Sequence, residues 1–259
     1  MEYTFLRDSF VAGILASLAC GLGALPLLFS GLGIEKRVGL GYGFAGGLMF
    51  SASVYNLILP GLTLGDHNAS LWQVFPILAG ILLGAAFLWG VNRYLVYHSM
   101  ESSALGLLGG RREILIFVAM AFHSIPEGVA VGVGYASEQR MPDIEHLGSY
   151  IALAIAIHNI PEGLAVSIPM RAGGASISRC FVAAFLTSLP QPLAAVPAAL
   201  LAWFFEPLMV PLLGFAAGAM IFLVVLEMIP DALEDRRPVE IAWAFILGFC
   251  LMILVQVVL

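Results

Sequence analysis

Long apolar runs recur along the whole chain, and they constrain its fold more than any other feature. A transmembrane α-helix needs about 20 consecutive, mostly apolar residues, and we find eight segments of that length separated by short polar connections. Numbered as spans 1 to 8, their predicted bounds are 9–33, 38–62, 72–97, 113–135, 148–169, 179–204, 208–231 and 239–258. The pattern predicts an all-α integral membrane protein with eight transmembrane helices. Residues 1–259 would form a single transmembrane domain with no soluble domain.

The composition agrees with this interpretation and excludes several classes of protein. Hydrophobic residues make up 61% of the chain and charged residues 11%, whereas a soluble domain carries about 25% charged residues. The net charge is −6 and there is no basic tract, so we expect a lipid bilayer and no nucleic acid as partner. Three cysteines lie inside apolar segments without metal-binding spacing, which favours a packing role. They are Cys20, Cys180 and Cys250.

The distribution of basic residues predicts the orientation. If the spans alternate in direction, nine basic residues fall on one side of the membrane, while only Arg7 and Arg140 fall on the other. Basic residues collect on the cytoplasmic side, so both termini should lie outside the cytoplasm. Residues 98–112 would then form a cytoplasmic loop between spans 3 and 4. The nine are Lys36, Arg37, Arg93, Arg111, Arg112, Arg171, Arg179, Arg236 and Arg237.

Two nearly identical polar phrases interrupt the apolar spans. HSIPEG begins at His123 in span 4, and HNIPEG begins at His158 in span 5. Each histidine is followed four residues later by a glutamate, Glu127 or Glu162, which places both side chains on one helical face. Ionisable residues inside the membrane are costly and indicate a functional site. Two imidazoles and two carboxylates near the midplane form a donor set suited to Zn²⁺ or a similar divalent ion. The alternative is a structural salt-bridge cluster.

The proline in each phrase adds to the predicted site. Pro126 and Pro161 lack the N–H that would bond the carbonyls of Phe122 and Ile157. Such freed carbonyls are tolerated at membrane depth only where protein or a cavity surrounds them. The prolines therefore favour a buried, polar cavity around the two histidines.

At these residues the chain resembles the ZIP (Zrt/Irt-like) family of divalent-metal transporters, and its span 2 resembles the bacterial branch. The resemblance implies uptake of Zn²⁺, and of Cd²⁺, Fe²⁺ or Mn²⁺ as further substrates, into the cytoplasm. It implies that spans 1–3 and 6–8 form an inverted repeat around spans 4 and 5. A bacterial inner membrane would be the location. The oligomeric state stays open, a homodimer being one option.

The resemblance also implies a set of metal ligands. His123, Glu127, His158 and Glu162 match the ligands of spans 4 and 5, and Met49 matches a soft ligand in span 2. For Met49, core packing is the alternative. A neighbouring second site would involve Ser124, Asn159 and Gln191, where related proteins carry other polar residues or carboxylates. With less negative charge there, we expect one strongly bound metal per chain. For Gln191, a hydrogen bond between helices is the alternative.

Further polar residues outline a path for the ion, although each could be an ordinary solvated residue. The candidate entrance residues are Asp66, His67, Asp143, Glu145 and His146. The candidate exit residues are Glu227, Asp231, Glu234 and His98, and Glu227 lies deepest.

Two other functions compete with facilitated metal transport. An intramembrane zinc hydrolase would use a metal with an open coordination position to activate water, but it needs a general acid or base beyond the metal ligands. A proton-coupled cation exchanger would use the same glutamates as proton carriers.

Overall fold

The computed structural model describes residues 4–29, 38–63, 71–97, 111–141 and 146–258. This described part is helical throughout apart from short turns, and it contains no strand. Its α-helices are α1 Thr4–Leu22, α2 Val38–Ala52, α3 Leu59–Thr63, α4 Leu71–Tyr97, α5 Arg111–Arg140, α6 Leu147–Ala172, α7 Ile177–Thr187, α8 Pro190–Phe204, α9 Met209–Leu223, α10 Ile229–Asp235 and α11 Pro238–Val258.

The helices are long and apolar enough for a membrane protein. Seven helical segments qualify as candidate spans by length and composition: Thr4–Leu28, Val38–Thr63, Val74–Tyr94, Leu147–Ala172, Ile177–Phe204, Glu206–Glu234 and Pro238–Val257. The remaining helix, α5, has 30 residues, which corresponds to about 45 Å. The protein is therefore an α-helical, multi-pass membrane protein. Because α5 begins at Arg111, the predicted loop 98–112 ends in helix, and its residues 98–110 lie outside the described residues.

The helices associate in two groups that meet at α5 and α6. In the first group, α5 packs on α8 and α6, while α1 packs on α6 and α8. In the second group, α4 packs on α9 and α11 packs on α2. Contacts of α5 with α9, and of α2 with α6, join the two groups. The predicted His/Glu spans thus lie at the centre of the molecule.

Glycines allow the helices of the first group to approach closely. Gly163 of α6 lies against the carbonyl of Cys20 in α1, and Gly128 of α5 lies against the carbonyl of Gln191 in α8. A Cβ atom at either position would collide with that backbone. Small residues at helix interfaces are how membrane helices achieve close packing. Each glycine directly follows the glutamate of its motif, so close packing occurs at the level of the predicted site.

Two of the predicted spans contain a π-helical segment that the sequence did not indicate. Residues Ser53–Ile58 join α2 to α3, and Val224–Met228 join α9 to α10. Pro60 and Pro230 follow these segments, and a proline cannot bond to the carbonyl four residues earlier. The wider turn accommodates that missing bond, and π segments are frequent at functional sites. The second segment contains Glu227.

Candidate metal centre

Three of the predicted ligands come together between α5 and α6. Glu127, His158 and Glu162 each offer one ligand atom, and these atoms all lie within 4.8 Å of one another. The Nε2 atom of His158 is 3.2 Å from Oε1 of Glu127. His158 and Glu162 share a face of α6 through their four-residue spacing, while Glu127 faces them from α5. All three side chains are buried.

The unpaired atoms of this group favour a bound cation. Within the described part of the chain, Nδ1 of His158 and Oε1 of Glu162 are buried and have no hydrogen-bond partner. A buried polar atom without a partner is costly, and a buried charge without one is more so. Two carboxylates and one imidazole form a three-ligand set that leaves a coordination position open, which suits Zn²⁺.

His123 is buried at the edge of this group and contacts a different carboxylate. Its Nε2 atom lies 3.7 Å from Oε1 of Glu227, in the second π segment. The amide of Asn92 in α4 donates to the same Glu227 oxygen at 3.1 Å. A residue predicted as a ligand and a residue predicted for the exit thus meet in one polar cluster. No sequence pattern indicated a role for Asn92, because it reaches Glu227 only through the packing of α4 on α9.

Met49 is fully buried on α2, among the apolar residues of the main core. This environment is also what the packing alternative expects. Its role as a soft ligand stays a prediction.

The three residues predicted for a second site all bond to the protein itself. Ser124 lies 3.1 Å from the carbonyl of Met120 and 3.0 Å from that of Thr187. The Nδ2 atom of Asn159 donates to Oε1 of Gln191 at 3.1 Å, and Nε2 of Gln191 donates to Oε2 of Glu127. Gln191 therefore makes the hydrogen bonds between helices that the alternative interpretation expects.

A cavity adjoins the metal group, and we call it the inner cavity. It has a volume of about 90 Å³ and its lining includes Glu162, Glu227 and Asp231, so it connects the centre with two predicted exit residues. A water molecule occupies about 30 Å³ of liquid, so the cavity is large enough for a partly hydrated ion. The third exit residue, Glu234, is exposed beyond it, and His98 lies outside the described residues.

A larger cavity of about 580 Å³ opens where the ends of α1, α5 and α6 meet, and its polar lining includes Asp8, Tyr135, Glu138 and Ser149. Sequence reasoning missed it because these residues are far apart in the chain and individually ordinary.

Of the predicted entrance residues, only His146 is described. It precedes α6 with a φ of 66° and its ring packs on Tyr150 at 6.1 Å. The others, Asp66, His67, Asp143 and Glu145, lie outside the described residues.

Comparison with known proteins agrees with this centre. The family described as ZIP Zinc transporter matches residues 98–256, which include all three clustered ligands. The zinc transporter GufA of Myxococcus xanthus is 34% identical over 250 residues, covering 93% of this chain and 96% of that protein. The zinc transporter ZIP11 of Homo sapiens is 29% identical, covering 90% of this chain and 92% of its own length.

A relative from Arabidopsis thaliana is 37% identical over 228 residues, which is 87% of this chain. This chain spans only 35% of that longer protein. The relatives are transporters by name, which argues against the hydrolase alternative. The chain belongs to the ZIP family of metal transporters.

Proposed function

We propose that this protein carries Zn²⁺ across the membrane into the cytoplasm through the buried group Glu127, His158 and Glu162. The observation that carries the proposal is the convergence of two carboxylates and an imidazole within 4.8 Å, near the middle of two long helices. Relatives named zinc transporters support the choice of metal. Cd²⁺, Fe²⁺ and Mn²⁺ are further substrates, and Met49 adds a ligand for the softer ions.

In this proposal α5 also crosses the membrane, as span 4, which brings the number of spans to eight, and both termini lie outside the cytoplasm. Nine of the eleven basic residues then lie inside, as positive-inside topology expects. The two outer arginines are each paired with a carboxylate, Arg7 with Asp8 at 2.9 Å and Arg140 with Glu206 at 3.0 Å. The membrane is a bacterial inner membrane, in keeping with the relative from Myxococcus xanthus.

The inverted repeat also has support in the helix geometry. Spans 2 and 7 would be equivalent if spans 1–3 repeat as spans 6–8. Both contain a π segment, Ser53–Ile58 and Val224–Met228, with a proline shortly after it. An inverted repeat would produce the same π segment and proline at equivalent positions of the two spans.

The ion leaves through the inner cavity. The path passes from Glu162 to Glu227 and Asp231, which line that cavity, and then to Glu234 and His98. His123 contacts Glu227 and so passes the ion between the centre and the exit. On the outer side, carboxylates such as Asp66, Asp143 and Glu145, with His67 and His146, raise the local cation concentration. One metal binds strongly in each chain.

The direct test is uptake of Zn²⁺ into liposomes that contain the purified protein and an internal zinc indicator. Glu127→Ala and Glu162→Ala should each abolish uptake, because each removes a ligand from a centre with only three. Glu240→Ala is the matched control, since Glu240 pairs with Arg237 at the surface, 2.6 Å apart, and its loss should leave uptake unchanged. Uptake at the unaltered rate by both site variants would contradict the proposal.

A further inference from the structure

The two oxygens of the Glu127 carboxylate have different partners. Oε1 faces Nε2 of His158 at 3.2 Å, inside the metal group. Oε2 accepts a hydrogen bond from Nε2 of Gln191, which is fully buried in the first turn of α8. One oxygen is therefore available to an ion, while an amide from outside the group holds the other.

The orientation of the Gln191 amide is fixed by a chain of hydrogen bonds. Nδ2 of Asn159 lies 3.0 Å from the backbone carbonyl of Ala16 and 3.1 Å from Oε1 of Gln191. Both of those oxygens are acceptors, so the Asn159 atom between them must be the NH₂ group. Gln191 then presents its oxygen to Asn159 and its own NH₂ group to Glu127. The chain runs from the backbone of α1 through α6 and α8 to α5.

This amide chain has a chemical consequence for Glu127. Outer partners that hold a metal-binding carboxylate fix its orientation, and losing such a partner typically lowers metal affinity 10- to 100-fold. Because Oε2 already accepts the Gln191 hydrogen bond, coordination of an ion through Oε1 alone is favoured over coordination through both oxygens. Small Zn²⁺ in a four-coordinate site accepts that arrangement, whereas larger cations take more oxygen ligands and accept bidentate carboxylates.

We propose that Gln191 is a positioning residue that holds Glu127 in one-oxygen coordination, and that it thereby sets the affinity of the centre for Zn²⁺ and its preference for Zn²⁺ over the larger Cd²⁺. The proposal rests on the proposed function, since it requires the Glu127 group to bind the transported ion. The hydrogen-bonded chain from Ala16 to Glu127 holds the Gln191 amide, and with it the Glu127 carboxylate, in one orientation.

The test measures Zn²⁺ and Cd²⁺ affinity of the purified full-length protein by competition with a metal indicator. Gln191→Leu should weaken Zn²⁺ binding on the order of 10- to 100-fold, and it should weaken Cd²⁺ binding less, so that the ratio of the two affinities shifts toward Cd²⁺. Gln191→Asn, which keeps an amide but is too short to reach both partners, should act in the same direction. It provides the same test if the leucine variant does not fold.

Gln256→Leu is the matched control. Gln256 of α11 donates a partly buried hydrogen bond to Oδ1 of Asn56 in the first π segment, so this variant also breaks an amide–amide hydrogen bond, but in the other helix group. We expect it to leave both affinities within about twofold, since it touches no ligand partner. A merely structural role of Gln191 would lower thermal stability as the control does and leave the affinity ratio unchanged, and that result would overturn the proposal.

The two proposals fail in different ways. If wild-type protein binds one Zn²⁺ and Glu127→Ala abolishes binding, the centre is correct whatever the Gln191 variants do. Unaltered Zn²⁺ and Cd²⁺ affinities in Gln191→Leu would then contradict only the positioning role. Zn²⁺ binding that survives both Glu127→Ala and Glu162→Ala would contradict the proposed function itself.

Discussion

The two copies of the His-Pro-Glu motif have the same spacing but different surroundings. On α6, both His158 and Glu162 belong to the three-residue metal group. On α5, Glu127 belongs to it, whereas His123 contacts Glu227 in the second π segment. The residue after each histidine differs as well, since Asn159 bonds to α1 and α8 while Ser124 bonds only to backbone carbonyls. Both copies of the motif therefore contribute a glutamate to the metal group, but only the α6 copy also contributes its histidine.

The largest expected difference between the copies is that between their histidines. His158→Ala removes one of the three clustered ligands. Because loss of an outer partner of a ligand already lowers metal affinity 10- to 100-fold, loss of the ligand itself should lower Zn²⁺ affinity by at least about 100-fold. His123→Ala should lower affinity by less than about tenfold, because its ring nitrogen faces Glu227 and its loss would slow release more than binding. Equilibrium Zn²⁺ titration checks both variants. Equal losses would mean that both copies ligate the ion.

Acidification should weaken the centre, since its imidazole and carboxylates must be deprotonated to bind metal. Each proton displaced by Zn²⁺ makes the affinity fall by up to about tenfold per pH unit as the pH is lowered. Titration of the liposome uptake rate from neutral to acid pH, with and without a proton gradient, checks the sign and separates facilitated transport from proton coupling. A rate that rises on acidification would contradict this assignment of ligands.

The residues after the histidines should differ in their contribution to stability. Asn159→Ala leaves the buried Oε1 of Gln191 without its donor, and an unsatisfied buried group costs about 1–3 kcal/mol. Ser124→Ala removes only a hydroxyl bond to backbone carbonyls, so about 1 kcal/mol or less is expected. Thermal unfolding of the metal-free protein in detergent compares the two variants. A larger loss from Ser124→Ala would show that the amide chain adds little to the fold.

Much of this architecture could be predicted from hydropathy and spacing alone. The positions of the apolar runs agree with the helices to within a few residues, and the four-residue spacing correctly indicated that His158 and Glu162 share a face. Metal transport was indicated by the same motif and is supported by the family match. These features are local, so a single sequence contains them.

The remaining features depend on contacts between distant residues. The contact of His123 with Glu227 depends on the packing of α5 on α9 and on the π segment that follows α9 and contains Glu227. The partner of Glu227 on α4, Asn92, is 135 residues away in sequence. For Gln191 the sequence left two interpretations open, a second metal site and a hydrogen bond between helices. The crossing of α8 and α5 brings its amide to Glu127, where it makes the hydrogen bond. The π segments arise from a missing proline bond that hydropathy does not register.

The glycines after the two glutamates help to keep lipid away from a charged ion bound inside the membrane. At Gly163 and Gly128 the neighbouring helix backbones are in direct contact, so no lipid tail can enter between α6 and α1 or between α5 and α8 at that depth. The polar centre is thereby insulated sideways from the hydrocarbon, which would otherwise penalise its charge. The cavity lined by Glu162 and Glu227 lies next to this centre, so the exit route that we propose starts inside the protein and not at its lipid-facing side.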